Sequence, residues 1–452
     1  MKAVIDYLKQ NGYTTIDPAY YENIRLWALW YRGRVPSIHN YIQYNGKQRI
    51  RRSRKSLGMA KKIAEDWANL LLNEKVVITA DNESVNEACK EDLTRNKFSL
   101  YGNQLIEKAF ALGTGAFVEY IDNNIVIDYI TANCIYPLTW DNGDVTECAF
   151  ASERKDGKEK YVYLNIHRLN ENGTYVIENH MLKVDKTKVT ETELPEDVAP
   201  IVETGSSIPR FQLLYPNIAN NIDMDSPLGL SVYANALDQF EACDVIFDSF
   251  FNEFNLGRKR IMIPMSMARI MLEGEDGSVI PVFDENDLTF YAYQTDDKTQ
   301  KIDEMNGELR MDAHVVGLDK AINLAAYKCG FGEHKYHFDG AGVKTATEVI
   351  SEESDMFRAV RKHEAVLKMA IEGLYKALAD MNGLTTEFEI HIDFDDSIID
   401  DANAERERDR ADVMDGIMSK IEYRMKWYGE SEEEAQAKLD GVEDADIIMF
   451  GK

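Results

Sequence analysis

Five polar side chains are predicted to share one face of a short segment near residue 390. Residues 387–395 alternate between apolar positions (Phe388, Ile390, Ile392, Phe394) and polar ones (Glu387, Glu389, His391, Asp393, Asp395). Because successive side chains of a strand point to opposite faces, the polar set lies on one side. A nuclease that uses two metal ions needs carboxylates on one face, but any half-solvated strand has the same pattern. We favour a solvated or subunit-facing strand, and a metal-dependent nuclease is the enzyme alternative.

Residues 340–345 have part of the composition of a phosphate-binding loop. They are Gly340, Ala341, Gly342, Val343, Lys344 and Thr345, and a helix is predicted to follow. A phosphate loop of the Walker type needs Gly-Lys-Ser/Thr in succession, because the backbone wraps the phosphate while the lysine contacts it. Val343 separates the glycine from the lysine here. The sequence therefore favours a glycine loop before a capped helix over a nucleotide site.

The segment just before this glycine loop combines imidazole, ammonium and phenol groups. It contains His334, Lys335, Tyr336 and His337, with Asp339 close behind. A metal site usually needs three or four ligands on rigid elements, whereas glycines flank this segment on both sides. We therefore predict no metal site and favour a loop that presents basic and aromatic side chains to a polyanion. An exposed loop without a partner is the simpler alternative.

A cluster of six basic residues lies between two predicted helices near the start of the chain. Its members are Lys47, Arg49, Arg51, Arg52, Arg54 and Lys55. Cationic side chains at this density can bind DNA phosphates. They can equally pair with an acidic face of a neighbouring copy of the chain, and the acidity of the chain favours this second interpretation. Both interpretations are consistent with the sequence.

The charge of the chain restricts its partners. The 452 residues contain 51 Lys and Arg against 79 Asp and Glu, for a formal net charge of −28. A protein that grips nucleic acid over its whole surface needs a basic footprint, so a sequence-reading DNA-binding protein is disfavoured. The charge is also polarised, since residues 1–75 contain 14 basic and 6 acidic residues, whereas residues 387–452 contain 8 and 21. Ends of opposite sign suit two different neighbours, or copies packed end against end.

Neither a catalytic centre nor a cofactor site is predicted. The sequence lacks a Gly-x-Ser-x-Gly elbow, a His-Glu-x-x-His helix and a Cys–His dyad. The cysteines are odd in number and lack metal-clip spacing, which predicts neither disulfides nor zinc. No run approaches the roughly 18 apolar residues of a membrane span, and Asp6 comes too early for a signal peptide. We expect a non-enzymatic protein that assembles in a reducing compartment, with no cofactor, metal ion or membrane.

The first half of the chain predicts helices followed by antiparallel strands. Helical spacing of apolar residues marks the regions 20–31, 56–73, 84–96 and 99–112. From residue 116 the apolar period changes to two, with runs at 116–121, 125–130, 145–151, 161–168 and 174–184. Turn signals such as Asp122-Asn123-Asn124 separate the runs. This order predicts an antiparallel meander in an α+β fold, not the βαβ series of a doubly wound nucleotide-binding domain.

The second half predicts three long helices. The first runs from residue 228 to about 254, and the second starts at Asp312, as its N-cap, and ends near residue 329. Short β-like pieces between them suggest two struts that carry a small tip. Thr345 and Glu348 form a capping box before the third helix, which continues to residue 382 and spans about 57 Å at 1.5 Å per residue. Two more helices are predicted near 402–427 and 431–440, the latter opened by a capping box of Ser431 and Glu434.

Three segments of the chain resemble one protein family. They are residues 220–236 (NNIDMDSPLGLSVYANA), 342–349 (GVKTATEV) and 418–427 (MSKIEYRMKW). In this order they resemble tailed-bacteriophage portal proteins of the type found in long-tailed phages of Gram-positive bacteria. The likeness covers nearly the whole chain, and none of the three segments is catalytic.

The resemblance implies a division of the chain into the parts of a portal subunit. Residues 1–227, with a return strand at 384–400, would form the wing. The stem would consist of helices at 228–256 and 312–330, with a small β-containing clip at 257–311 between them. A tunnel loop at 331–344 would precede a long helix at 345–383, and residues 401–452 would form a helical crown.

The resemblance also implies an assembly and its partners. Portal proteins form a homo-oligomeric ring, usually a dodecamer, at one vertex of the phage head. Double-stranded DNA would pass through this ring during packaging and ejection, without sequence specificity. The implied partners are terminase, the major capsid and scaffolding proteins and the head–tail connector. The implied location is the virion, after assembly in the host bacterial cytoplasm.

The basic segments acquire expected roles from this resemblance. Brief contacts with DNA in a mostly acidic channel are expected of His334, Lys335, Tyr336, His337 and Lys344. In the clip, Arg258, Lys259 and Arg260 are candidate contacts for terminase and then for the connector. The structural alternative is a minor head protein or head–tail adaptor, which joins capsid to tail without forming the DNA conduit.

Overall fold

The structure is a computed structural model of the chain. It describes all residues except 1, 45–47, 74, 158, 186–187, 258–259, 265–270, 274–278, 282–289, 294–301, 306, 333–334, 337–345, 395–401, 429, 432–433, 437 and 440–452. The described residues combine helices with largely antiparallel sheets. This agrees with the predicted α+β class.

Six helices and one β-hairpin precede the main sheets. The helices are α1 (Lys2–Gln10), α2 (Pro18–Tyr31), α3 (Pro36–His39), α4 (Met59–Leu71), α5 (Glu83–Arg95) and α6 (Phe98–Leu112). Asp17 caps α2, because its Oδ1 accepts a hydrogen bond from the Ala19 amide at 2.9 Å. Between α3 and α4, strand β1 (Asn40–Tyr44) pairs antiparallel with β2 (Arg49–Ser53). Neither this hairpin nor α1 was predicted from the sequence.

The predicted antiparallel meander is confirmed. Strands β3 (Val77–Ala80), β4 (Gly115–Asp122) and β5 (Asn124–Thr131) lead into β6 (Ile135–Asp141), β7 (Asp144–Asp156), β8 (Glu159–Leu169), β9 (Tyr175–Asp185), β10 (Lys188–Thr192), β11 (Ile201–Glu203) and β12 (Phe211–Leu214). One sheet has the order β12-β4-β5 and a larger one the order β10-β9-β8-β7-β6. The β4–β5 turn holds Asn123 at a φ of 56°, as its turn signal predicts.

The helix predicted to start at residue 228 starts later, so this prediction was wrong. α7 runs from Leu237 to Leu256. Residues 228–233 instead lie against α6 in non-helical backbone, where the Val232 amide donates to the Phe110 carbonyl at 2.9 Å. Gly229 approaches Gly113 so closely that a Cβ on Gly229 would lie 2.4 Å from the Gly113 oxygen. Apolar periodicity alone cannot distinguish such a buried irregular segment from a helix.

Short strands follow α7, as predicted. They are β13 (Arg260–Pro264), β14 (Met271–Glu273), β15 (Val279–Pro281), β16 (Phe290–Tyr293) and β17 (Asp303–Met305). β13 pairs parallel with β16 and antiparallel with β17. The next helix, α8 (Met311–Lys328), has Arg310 at its N-cap position, and Asp312 lies within its first turn. The prediction that Asp312 is the N-cap was therefore wrong.

The long helix predicted at 345–382 is confirmed as α9 (Ala346–Met381). Its predicted apolar stripe is buried along Val360, Leu367, Ile371, Leu374 and Leu378. The helix ends before Gly383, whose φ of 69° is the left-handed conformation that commonly terminates helices. Thr345, half of the predicted capping box, lies outside the described residues.

The alternating segment near residue 390 forms β18 (Ile390–Asp393), which pairs antiparallel with β3. Ile390 is buried, and Phe388, Ile392 and Phe394 pack against the core. The polar residues of the other face that the structure describes are exposed: Glu387, Glu389, His391 and Asp393. The predicted alternation is confirmed, and Asp395 lies outside the described residues.

The single helix predicted at 402–427 is two helices, so this prediction was wrong. They are α10 (Ala402–Met414) and α11 (Lys420–Tyr428), separated at Gly416, whose φ is 75°. Ser419 and Glu422 form a reciprocal capping box at the second start, with bonds of 3.1 and 2.8 Å. Both Gly416 and the Ser-x-x-Glu pattern were visible in the sequence. The capping box of Ser419 and Glu422 was not predicted, whereas the predicted one of Ser431 and Glu434 is confirmed by bonds of 3.2 and 3.3 Å.

The hydrophobic core is shared by the helical layer, the β4–β5 sheet and α9. Its largest fully buried side chains include Trp27, Trp67, Tyr233, Tyr375, Phe110 and Phe117. The five cysteines are free thiols, and four of them are buried. In the part of the chain that the structure describes, no helix combines the length and hydropathy needed to cross a membrane.

A buried group of ionisable side chains lies at the contact of the two sheets. Glu119 of β4 and His167 of β8 are both fully buried near Arg210. The Glu119 carboxyl oxygens have no hydrogen-bond partner among the described residues. Burial raises the pKa of Glu119 to about 8, and burial together with the Arg210 charge lowers the pKa of His167 to about 3. Both side chains are therefore neutral in the fold at pH 7.

We expect Glu119→Gln to alter the pH dependence of stability. Between pH 6.5 and 8 the folded wild type still binds much of a proton at Glu119 that the unfolded chain has lost, so its stability falls as pH rises. The glutamine variant lacks this titration and should gain about 1.5 kcal/mol over the wild type across that interval. Urea unfolding at both pH values measures the difference. The exposed Glu153→Gln is the control, and an equal pH dependence of Glu119→Gln and wild type would contradict the assignment.

Candidate functional site

The segment that follows α8 is fixed to the helical layer by Trp67 of α4. The Trp67 indole Nε1 donates to the Cys329 carbonyl at 3.0 Å, and its ring stacks on Phe331 with centroids 4.6 Å apart. Gly330 passes the indole at a φ of 86°, and a Cβ there would lie 3.2 Å from a Trp67 ring carbon. The segment thus leaves α8 in one direction, set by the indole.

Tyr336, one of the predicted loop residues, binds the same helix. Its hydroxyl donates to Asp66 Oδ2 at 2.6 Å, while Lys62 Nζ donates to the other Asp66 oxygen at 2.6 Å. Burial, then the hydrogen bond to Asp66, raise the pKa of Tyr336 far above its ordinary value, so the phenol stays a neutral donor. Tyr336 therefore anchors the segment, and its hydroxyl is engaged within the subunit.

Lys335 is the exposed member of this pair. Its ammonium lies 5.8 Å from the centroid of the Phe331 ring, a cation–π distance, while the side chain remains in solvent. Of the five predicted loop residues, the structure brings Lys335 and Tyr336 together beside α4. His334, His337 and Lys344 lie outside the described residues.

The basic cluster lies on the hairpin of β1 and β2. Arg49, Arg51 and Arg52 are exposed, and Lys47 lies outside the described residues. Arg54 instead folds back onto the hairpin base, where its guanidinium donates to the Ile38 carbonyl at 2.9 Å and lies 5.4 Å from the Tyr41 ring centroid. The sequence signal for this hairpin was the Asn45-Gly46 dipeptide between two β-rich runs.

Asp244 of α7 joins the base of the hairpin to that helix. This nearly buried carboxylate accepts hydrogen bonds from the Leu57 amide at 2.6 Å and the Ser56 hydroxyl at 3.0 Å, and pairs with His39 Nε2 at 2.9 Å. One turn further along α7, Asp248 accepts from the Lys55 amide at 3.0 Å. Both ends of the hairpin are thereby fixed to α7, which sequence analysis did not detect.

Helices α7 and α8 are joined side by side. Glu253 of α7 accepts two bonds from the Arg310 guanidinium, at 3.0 and 2.7 Å, and one from the Arg310 amide at 3.1 Å. The hydrogen bonds with Arg310 lower the pKa of Glu253 to about 2. Nearer the middle of the pair, Ser249 and His314 share a hydrogen bond of 3.1 Å. Of the predicted docking residues, Arg260 begins β13, and Arg258 and Lys259 lie outside the described residues.

The carboxylates near β18 do not converge with further ligands where the structure describes them. Glu387, Glu389 and Asp393 are exposed along one strand face. Among the described residues there is no group of three His, Cys, Asp or Glu side chains that could hold a metal ion. The strand is accounted for by its pairing with β3 and its apolar face on the core.

One known protein family matches nearly the whole chain. The family model described as "Phage portal protein, SPP1 Gp6-like" matches residues 11–444. The chain belongs to this portal protein family. It is accordingly a structural protein of the phage virion, of a family that is not enzymatic, and the resemblance of its three segments to portal proteins is confirmed.

One solved structure similar to this portal protein is a chain in the virion of a native gene transfer agent particle. The two are 12% identical with a TM-score of 0.47, over 94% of this chain and 97% of the other. No curated protein sequence matched the chain.

We expect Tyr336→Phe to loosen the segment after α8. The variant loses the hydrogen bond to the Asp66 carboxylate, a type of bond whose removal typically costs about 1.5–3 kcal/mol. Amide hydrogen exchange of residues 329–336 should therefore accelerate at least tenfold. The matched control is Tyr327→Phe, whose side chain is exposed on α8. Unchanged exchange in Tyr336→Phe would show that the hydrogen bond does not hold the segment.

Proposed function

We propose that copies of this portal protein form a ring, of twelve subunits, at one vertex of the phage head, through which double-stranded DNA is packaged and later ejected. The observation that carries the proposal is apolar surface left exposed on the α7–α8 pair. On α8, Val316 and Leu324 are each 60% exposed, and Tyr327 points into solvent beside them. On α7, Phe251 and Phe254 are 42% and 44% exposed.

These side chains are not simply the far side of a packed pair. The Glu253–Arg310 and Ser249–His314 bonds already fix which faces of α7 and α8 meet. The apolar residues outside that contact are stabilised only if another surface covers them, by about 1.5–3 kcal/mol for each side chain fully buried. Equivalent helices of neighbouring copies supply such a surface all the way around a closed ring.

The charge of the chain suits a conduit for DNA. Double-stranded DNA carries one negative charge per about 1.7 Å of its axis, so a strongly basic bore would hold it in place. A chain with a net charge of −28 presents a mostly repulsive wall, along which DNA slides with little friction. A few cationic side chains are then enough for brief contacts.

Lys335 is the described side chain that best fits this contact role. It is exposed, and the segment that bears it is fixed by Trp67 and Tyr336. A charge held on a fixed support loses little conformational entropy when DNA arrives. We propose that Lys335 acts together with His334, His337 and Lys344 of the tunnel loop, while Tyr336 supports the loop from behind.

The proposal also assigns the outer partners to different parts of the chain. We propose that residues 257–311 between α7 and α8 form the clip, where Arg258, Lys259 and Arg260 contact terminase and then the head–tail connector. The wing, residues 1–227 and 384–400, would face the capsid and scaffolding proteins, with residues 401–452 as crown. Assembly in the host bacterial cytoplasm precedes incorporation into the virion.

Ring formation should depend on the exposed side chains of α8. We expect Val316→Glu with Leu324→Glu to lower the fraction of assembled protein at least tenfold, because two charges replace apolar contacts at each subunit boundary. Native mass spectrometry measures the assemblies, and negative-stain images show whether they have an axial hole. The control is Ile121→Glu with Ile201→Glu, at wing positions 58% and 59% exposed. Wild-type protein that stays a compact monomer, as expected of an adaptor, would overturn the proposal.

Variants in the tunnel loop and in the clip should impair different steps of DNA packaging. We expect Lys335→Glu to reduce the DNA packaged per particle several-fold while terminase binding and the ring persist. Reversing Arg258, Lys259 and Arg260 to Glu should instead abolish terminase binding. An in vitro packaging assay with a terminase pull-down separates the two, and the exposed Lys90→Glu on α5 is the control. Normal packaging by the first variant removes the DNA-contact role, and normal terminase binding by the second removes the clip assignment.

A further inference from the structure

We propose that the outer face of the β1–β2 hairpin binds an acidic surface of a neighbouring copy of this chain. This face, called the hairpin face, comprises Ile42, Tyr44, Arg49 and Arg51. The inference rests on the proposed ring, because it needs a neighbouring copy. It adds a specific contact outside the α7–α8 pair and selects between the two partners that the basic cluster allows.

The strand register places apolar and cationic side chains on one surface. Ile42 lies opposite Arg51 and Tyr44 opposite Arg49. Residues directly opposite each other in an antiparallel pair project to the same face. Ile42 and Tyr44 are 64% and 66% exposed, and both arginines are exposed. The hairpin face is thus a mixed apolar and positively charged patch.

The hairpin gains stability if this face is covered. A two-stranded hairpin is at best marginally stable in water without a third strand or a packed face. Its other face carries Tyr41 and Ile50, which are half-buried, with the Arg54 guanidinium over the Tyr41 ring, and the exposed polar Gln43 and Arg52. The strongly exposed apolar side chains of the hairpin, Ile42 and Tyr44, therefore lie on the hairpin face.

The base of the hairpin is rigid enough to hold this face in one place. Asp244 accepts hydrogen bonds from Ser56 and Leu57 on one side of the hairpin, and pairs with His39 on the other. His39 is itself fully buried and lies within 3.0 Å of the Val35 carbonyl. A patch presented by a fixed arm loses little conformational entropy on docking.

Charge complementarity favours a second copy of the chain as the occupant. Residues 76–452 contain 37 Lys and Arg against 73 Asp and Glu, so the rest of each copy is strongly acidic. The planar guanidinium of arginine pairs bidentately with carboxylates. DNA phosphates also attract arginine, but they offer no apolar surface for Ile42 and Tyr44. Tyrosine and arginine together with an aliphatic residue are typical of the core of a protein–protein interface.

The first test reverses the charges of the hairpin face. We expect Arg49→Glu with Arg51→Glu to weaken the ring, so that the protein concentration below which it dissociates rises at least tenfold. Sedimentation velocity over a dilution series measures this concentration. The control is Lys9→Glu with Lys90→Glu, which makes the same charge change at exposed positions elsewhere. Dissociation concentrations of variant and control that agree within twofold overturn the inference. Loss of DNA binding by an intact variant ring overturns it too, in favour of DNA as the occupant.

The second test identifies what the hairpin face touches and does not depend on a destabilised variant. Ile42 is replaced by the photo-crosslinking residue p-benzoylphenylalanine in an otherwise wild-type chain that is assembled into rings. Met224, which is 89% exposed, is the control position. We expect a covalent dimer from position 42 whose mapped peptide is rich in Asp and Glu. Crosslinks confined to DNA, or to the same subunit, overturn the inference.

The two proposals fail in distinguishable ways. If the unmodified protein forms no ring, the proposed function falls and this inference falls with it. Only the inference falls if the ring forms, if the Arg49→Glu/Arg51→Glu variant dissociates like its control, and if position 42 gives no crosslink to another subunit.

Discussion

Trp67 of α4 contacts both the segment after α8 and the long helix α9, and so joins these two elements to the helical layer. Its fully buried indole stacks on Phe331 and meets the His363 ring of α9 edge-on with centroids 4.7 Å apart. Its nitrogen satisfies the Cys329 carbonyl at the end of α8. Truncating a buried tryptophan typically costs about 3–5 kcal/mol. The placement of Lys335 and Tyr336 therefore depends on a residue that has no charge and could not have been chosen as functional from its type.

The function proposed for this portal protein sets two requirements that conflict in most DNA-handling proteins. The channel must accept a polyanion, and it must not bind it tightly. An acidic chain with a cation on a fixed support would meet both, since Trp67 and Tyr336 support Lys335 and the net charge of −28 would supply the repulsion. Arg49, Arg51 and Arg52 are exposed on the β1–β2 hairpin, where we propose that Arg49 and Arg51 contact a neighbouring subunit.

Local patterns predicted the elements well, and long-range contacts account for most of what they missed. The strand alternation at β18, the turn at Asn123 and the stripe of α9 depend on neighbouring residues and were correct. The start of α7 was wrong because residues 228–233 pack against α6 from more than a hundred residues away. The pairs Tyr336–Asp66 and His39–Asp244 are separated by 270 and 205 residues, so the local sequence selected Tyr336 as an aromatic residue of the loop without revealing its partner, and it did not single out His39.

The attachment of the hairpin to α7 has a mechanical consequence. Because Asp244 and Asp248 bind both ends of the hairpin, we expect the hairpin and α7 to move together as one rigid unit. Five residues of strand reach about 17 Å, so a tilt of about 10° in the helix displaces the far end of the hairpin by roughly 3 Å. In a closed ring whose subunits contact each other through the hairpin face, a tilt of α7 in one subunit would displace the adjacent subunit. The movement would then be passed from subunit to subunit around the ring.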